Sequence, residues 1–384
     1  MSIVFGMLGS ILVGLGIILI LAHNWDNLTR PVKIFFSFLP VVIGQAICGY
    51  ALFKKSGNRT WKEASAAFVF FAVGASIALV AQVYNISGDL PGFLFTWMLL
   101  CCPLIYLMPS SIVSLLFIAG ISMYAVNVSF DGIENSYHYW WMILIVMPHY
   151  FTIIKNNPKG NFTSFHHWLV PLSLTICLAT VGNQSEEYLL IAYINLFAVF
   201  YLLNMNSIIP AEKLRSNSYL IIGSLGTMGI LMALSFNWFW KDMIISRPEA
   251  GMPELAAVTL SFLPAAYLLY RHVRQNKVKS LSFFGFIFIL FSFIFLVGMG
   301  EAKTATILMN LLVLAAAIVI MRQGLTTNHL GILNYGLLMT AILAVCRFFD
   351  TDISFVLRGM MFVAVGAGFF TANTTLLKKR KQHV

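Results

Sequence analysis

Charge is what this chain has least of. Only 10% of its 384 residues are Asp, Glu, Lys or Arg, while 59% are hydrophobic, and soluble domains carry about 25% charged residues. Too little polar surface is encoded to cover a compact particle of this size in water, so a soluble globule is excluded. Acid is the scarcer sign, with 14 Asp and Glu against 24 Lys and Arg and a net charge of +10. Cysteine is sparse too: Cys48, Cys101, Cys102, Cys177 and Cys346 all fall in apolar runs, with no C-x-x-C spacing and no histidine pair beside them. Neither a disulfide framework nor a zinc site is encoded, and no metal or cofactor is expected. Walker, H-E-x-x-H, G-x-S-x-G and dinucleotide-binding motifs are missing, so no enzyme signature is present. The basic residues are scattered over short segments with no module to organise them, which removes a nucleic-acid role.

What the chain has in quantity is apolar sequence in runs long enough to cross a bilayer. A spanning helix needs about 20 mostly apolar residues. That ruler yields fourteen stretches, at 3–22, 32–53, 64–83, 91–108, 111–127, 138–154, 167–181, 188–203, 219–236, 254–270, 281–300, 304–321, 330–347 and 353–377. The seventh is short, and only Pro109-Ser110 separates the fourth from the fifth, so the count is 13 to 14. Backbone groups in hydrocarbon must pair within their own segment, and these runs are too long and too evenly apolar for barrel strands. The fold class is therefore all-α, a polytopic membrane protein with no extramembrane domain. The first run lacks a basic leader and a small-residue cleavage site, and it reads as a membrane helix in place of a signal peptide.

Alternating fourteen spans sorts the charges. One face collects 17 basic residues, among them Lys54, Arg59, Lys155, Arg271 and Lys378, against two acids, Glu63 and Glu212. The other keeps 7 basic residues and the remaining twelve acids. Basic loops stay in the cytoplasm, so both termini are expected there. Tryptophans support the spans, since Trp25, Trp61, Trp140, Trp141, Trp168, Trp238 and Trp240 lie near expected helix ends, where interfacial anchors sit. The 237–253 segment reads as the longest outer loop. No internal repeat is established.

Polar chemistry gathers on the outer face. His23, Asn24, Asp26, Arg30 and Lys33 crowd the turn after the first run, where turn and capping chemistry accounts for much of the composition. The same groups form a mouth able to hold an anionic head group or relay protons. Gln82 and Tyr84 end the third run. Arg347, Asp350 and Asp352 close the last hairpin, and Arg358 lies inside the final run, where it needs a partner. Within the spans Gln45, His149, Asn195, Asn310 and Asn334 are isolated polar groups whose default role is interhelical hydrogen bonding. The adjacent His166-His167 reads as a solvated pair at the inner interface.

The sequence also carries a resemblance. The Ala22-His23-Asn24-Trp25-Asp26 element, Lys33, and Ala81-Gln82-Val83-Tyr84 ahead of a Trp97-bearing helix resemble the bacterial membrane-protein family called domain of unknown function 2157, over roughly residues 5–130. The C-terminal Arg347-Phe348-Phe349-Asp350 through Arg358-Gly359 is similar to the end of the same proteins. The resemblance implies a bacterial inner-membrane location and a polytopic architecture, and supplies no reaction. It divides the chain into a family-like region, 1–130, and the remaining helices, 131–384, of one bundle. Three functions are consistent with these residues: a transporter-like or lipid-handling protein with an outer polar entrance, a non-catalytic assembly or stress-sensing component, and an intramembrane enzyme on a lipid-linked substrate. Membrane lipids and an unidentified small molecule or lipid are the expected partners.

Overall fold

In a computed structural model the chain is described over residues 25–130, 137–182, 186–209, 217–246, 249, 251–275 and 282–348, with scattered positions between 354 and 370. The first apolar run lies outside the described residues, and the last is described only at those scattered positions. The described part is helical, and the chain divides into two compact units, 1–169 and 170–384.

The first unit begins with a single 3-10 turn, Trp25–Asn27, followed by α1 (Arg30–Lys54) and α2 (Arg59–Tyr84). Pro31 sits in the first turn of α1, where its missing N–H has no carbonyl to meet. Asn58 caps α2 by accepting from the Trp61 amide at 3.3 Å. Asn85 ends the helix in the left-handed region, φ 49°, a conformation asparagine tolerates. The segment 85–89 is thus a turn, and Asp89 closes it by accepting from Gly92 N at 2.6 Å as the N-cap of α3 (Leu90–Cys101). α3 stops ahead of Pro103, and the chain continues through one further turn, α4 (Leu104–Leu107). Next come α5 (Ser111–Phe130), α6 (His138–Asn156) and the start of α7 (Asn161–Leu178). The centre of the unit is α5, whose Val113, Phe117, Ile118, Ile121 and Ala125 are fully buried. α1 instead presents Phe35, Phe38, Val42 and Phe53 outward, as a lipid-facing helix does.

The second unit takes the end of α7 and then α8 (Glu186–Met205), α9 (Ser218–Ala233), α10 (Asn237–Ser246), α11 (Met252–Arg274), α12 (Ile287–Gly298), α13 (Ala302–Thr326) and α14 (Leu330–Phe348). α8 packs on α9 and α11, while α13 pairs with α14 and α12. Lipid tails are as apolar as leucine, so close backbone approach and interhelical hydrogen bonds must hold these helices together. Both are visible. A Cβ on Gly336 would stand 2.9 Å from the Ala317 carbonyl oxygen, which lets α14 lie against the buried Ala316-Ala317 strip of α13. Asn195 donates to the Val258 carbonyl on α11 at 3.4 Å, the interhelical role expected of it.

Among the described residues nine helices are long and apolar enough to cross a membrane, and ten if α9 and α10 form one span. Three expected features come out differently. The run at 281–300 is a 3-10 turn, Phe283–Gly285, followed by only 12 residues of α-helix. The expected outer loop after residue 236 is helical over its first half, as α10. Of the tryptophans assigned to the interface, Trp25 and Trp240 are buried, Trp240 completely.

Candidate functional site

The second unit contains a broken helix. α9 and α10 meet at Leu234-Ser235-Phe236 with a bend of 75°. Breaking a helix frees carbonyls at the end of its first half, and inside a bundle each must find a donor. Here the donors are side chains from beyond the break. Trp240 Nε1 donates to Leu234 O at 2.8 Å, and Asn310 of α13 donates to Ser235 O at 2.8 Å. Asn310 therefore does what an isolated polar residue in a span is expected to do, and its particular task is to close this break.

The break also houses a guanidinium that the charge sorting places on the face poorer in basic residues. Arg347, near the end of α14, is 3% exposed. Its Nη2 donates to Ser235 Oγ at 2.9 Å, and its Cζ stands 4.5 Å over the Phe236 ring. Ser235 Oγ in turn donates to Met232 O at 2.6 Å, in the last turn of α9. Two forces favour a cation there: the negative end of the α9 dipole and the face of an aromatic ring out of water. Thr306 of α13 brings its hydroxyl to 3.3 Å from Asn237 Oδ1, the first residue of α10. Gly298 gives Trp240 its seat, since a Cβ there would overlap the indole. Both sides of the break are thus fixed by polar or aromatic contacts within one unit.

The other residues expected on the outer face are placed as follows. Asp26 falls in the 3-10 turn Trp25–Asn27. Lys33 stands with its Nζ 5.9 Å over the Trp25 ring, and Arg30 is exposed at the first turn of α1. Gln82 and Tyr84 are exposed at the end of α2, beside a cleft of about 670 Å³ between α1, α2 and α3 that Gln45, Ser76, Asp89 and Thr96 line. His23, Asn24, Asp350, Asp352 and Arg358 lie outside the described residues. Arg347 is the member of the set that the structure builds into a centre.

A second polar centre, in the first unit, involves residues that their sequence context does not single out. Glu63, in the second turn of α2, is 5% exposed. Its carboxylate accepts from Ser110 Oγ at 2.6 Å, Ser111 N at 3.0 Å and Ile112 N at 2.9 Å, so it caps the N-terminus of α5 from another helix. Arg59, one turn earlier, reaches Glu63 Oε1 at 3.4 Å and Ser111 Oγ at 3.0 Å, with its guanidinium 5.0 Å over the Phe162 ring. A carboxylate there meets exposed amide donors and the positive end of the helix dipole.

Next to it, His166 and His167 are buried, at 0% and 5% exposure, so the expectation of a solvated pair fails. α7 turns both inward against α5 and α6. His166 Nδ1 lies 2.7 Å from the Phe162 carbonyl, which can only accept, so that nitrogen carries the proton. In the neutral ring Nε2 then accepts from Ser114 Oγ, 2.9 Å away. His167 Nδ1 bonds Tyr150, whose ring stacks on His166. His149, 7% exposed, stands 6.3 Å from His166, ring centre to ring centre. Among the described residues no group of three His, Cys, Asp or Glu could hold a metal ion.

Taken together, the apolar helices define a polytopic α-helical membrane protein, and the polar centres tie its helices to one another. Residues 1–114 match the family model described as predicted membrane protein, DUF2157, the family that the opening motifs resemble. No curated protein and no solved structure matches the chain.

Proposed function

We propose that this is a transporter-like inner-membrane protein, with both termini in the cytoplasm, that handles a lipid or another small amphiphile. The observation carrying this reading is the discontinuous helix: α9 and α10 bend by 75° at a point held by a buried arginine. Discontinuous helices with charged or polar groups at the break are a recurrent device of membrane transporters, because half-helix ends present unpaired backbone dipoles within the bilayer. By the charge sorting the break lies toward the outer end of the unit. Arg347 is then a wall of an outer entrance within the second unit, and the other outer-face residues of the sequence reading, His23, Asn24, Asp26, Arg30, Lys33, Gln82, Tyr84, Asp350 and Arg358, are proposed as polar groups of the same membrane face.

The motion this supports is a swing of α10 about Leu234-Ser235-Phe236. The closed state is held by the polar contacts Arg347 to Ser235, Trp240 to Leu234, Asn310 to Ser235 and Thr306 to Asn237, together with the burial of Trp240 and Met243 of α10. A change in any of these shifts the balance between closed and open states. The test is complementation of a deletion strain, scored for envelope integrity and for sensitivity to amphiphilic compounds. Arg347→Gln, expressed and folded as wild type, is expected to fail to restore the wild-type profile. Full complementation by that variant would overturn the reading.

A further inference from the structure

At the end of α9 remote from the break, the same unit contains a cavity of about 530 Å³ between α8, α9, α13 and α14. Its walls are apolar, formed by Leu220, Leu225, Phe284, Ile320 and Ile332 among others. The polar groups on it form two sets. Tyr335 and Ser224 stand on facing helices, each about 8 Å in from its helix start. Gln323 and His329 lie at the α13–α14 turn.

A third lining hydroxyl, that of Tyr201, is already committed as a donor to Ser282 Oγ at 2.8 Å. The Tyr335 hydroxyl is shut off from solvent and has no hydrogen-bond partner among the described residues. It faces Ser224 without meeting hydrogen-bond geometry, and the Ser224 hydroxyl is turned to the Ile221 carbonyl at 3.2 Å. His329 Nδ1 accepts from the Ile332 amide at 3.4 Å, so in the neutral ring the proton sits on Nε2, available to donate. The cavity thus offers the Tyr335 O–H and the His329 N–H as donors, with the Gln323 amide adding a donor and an acceptor, and is otherwise greasy. A buried hydroxyl left without an acceptor is costly, and an acceptor supplied by a ligand removes that cost. The volume falls within the range of small-molecule sites, roughly 300–1,000 Å³.

We infer that this cavity binds a single-chain amphiphile whose polar end carries oxygen acceptors, a carboxylate or ester, with its hydrocarbon against Leu225, Phe284 and Ile320. The polar end is held by Tyr335, with Gln323 and His329 at the mouth along its way in. By the charge sorting the mouth opens at the cytoplasmic side of the bilayer, where such molecules partition. The inference deepens the transport reading by naming its substrate class; it rests on that reading for movement and not for binding.

The probe is palmitic acid bearing a diazirine in its chain, photolysed with the full-length protein in nanodiscs and mapped by peptide mass spectrometry. Label is expected on peptides spanning 220–225 and 329–335. Ile332→Trp and Ser224→Leu, which fill the cavity, are expected to reduce that label at least tenfold. Tyr335→Phe keeps the volume and removes only the hydroxyl; it is expected to weaken competition by unlabelled palmitic acid about tenfold, the worth of one hydrogen bond of roughly 1.4 kcal/mol. Hexadecane, which has no acceptor, should compete far less than palmitic acid. Label spread evenly over the lipid-facing helices, label unchanged in both filled variants, or equal competition by hexadecane would each overturn the inference. Arg347→Gln should leave the labelling intact, so failure of the transport reading and failure of this site give different results.

Discussion

Arg347 and Ser235 stand 112 positions apart in sequence and are joined by a 2.9 Å hydrogen bond at the break between α9 and α10. The bond places a cation at the negative end of a half-helix, and the same guanidinium packs on Phe236. An arginine near the outer end of a span is what the positive-inside rule leaves without a reason, and this geometry supplies one. Removing it by Arg347→Ala is expected to cost about 2–3 kcal/mol, the range of a buried hydrogen bond to a charged group. Ser235→Ala should cost about 1 kcal/mol. Unfolding in mixed micelles measures both, and the double variant should fall short of the sum, because the two residues share one contact.

Glu63 predicts a sharper loss in the first unit. Besides Arg59, three donors from the α5 start converge on its carboxylate, two of them backbone amides of Ser111 and Ile112 that no other side chain in this network reaches. Glu63→Gln swaps one acceptor oxygen for a donor and sets N–H against N–H. The expected loss is about 2 kcal/mol or more in the same unfolding measurement, with Ser110→Ala milder because the carboxylate keeps both amides. Equal effects of the two substitutions would contradict the capping role.

Gly336 tests the close approach of α13 and α14. An added Cβ would meet Met321 Cγ at 2.6 Å, but also the Ala317 carbonyl and the Met321 amide nitrogen at 2.9 Å, and the backbone atoms cannot be pushed aside, so the helices must separate. Gly336→Ala is expected to destabilise by about 1–3 kcal/mol, as overpacking does, whereas Gly229→Ala, which meets nothing within 4 Å, should be neutral or stabilising.

Orientation has its own check. Single cysteines at Gly57 and Gly132, probed in whole cells with a membrane-impermeant thiol reagent, should show position 132 labelled and position 57 protected. The reverse pattern would invert the assignment of the two faces.

The helices and most of their ends were legible because their causes are local. Runs of apolar residues, Pro31 at a helix start, Asn58 and Asp89 as caps and Asn85 as a terminator all act within a few residues of themselves. The end of α9 was legible, the span being read to 236 against an observed end at Ala233, but the resumption of the chain as α10 after a 75° bend was not, because the groups that satisfy the break, Asn310 and Arg347, arrive from other helices. Glu63 looked like one acid in a basic loop, since its three donors belong to a turn 47 to 49 residues away. His166 and His167 looked solvated because the charge around them marks an interface, whereas α7 turns both rings inward. Arg347 and Arg358 could be singled out in advance, by the mismatch between their sign and their side of the membrane, and of the two Arg347 lies among the described residues.

The central claim is that α10 is a movable half-helix whose closed position Arg347 holds. Double electron–electron resonance between spin labels at Trp238→Cys on α10 and Lys303→Cys on α13, both exposed positions, measures it most directly in a background with the native cysteines replaced by alanine. The account predicts two distance populations, with Arg347→Gln shifting weight from the shorter to the longer. A single narrow distribution, identical with and without Arg347, would contradict it.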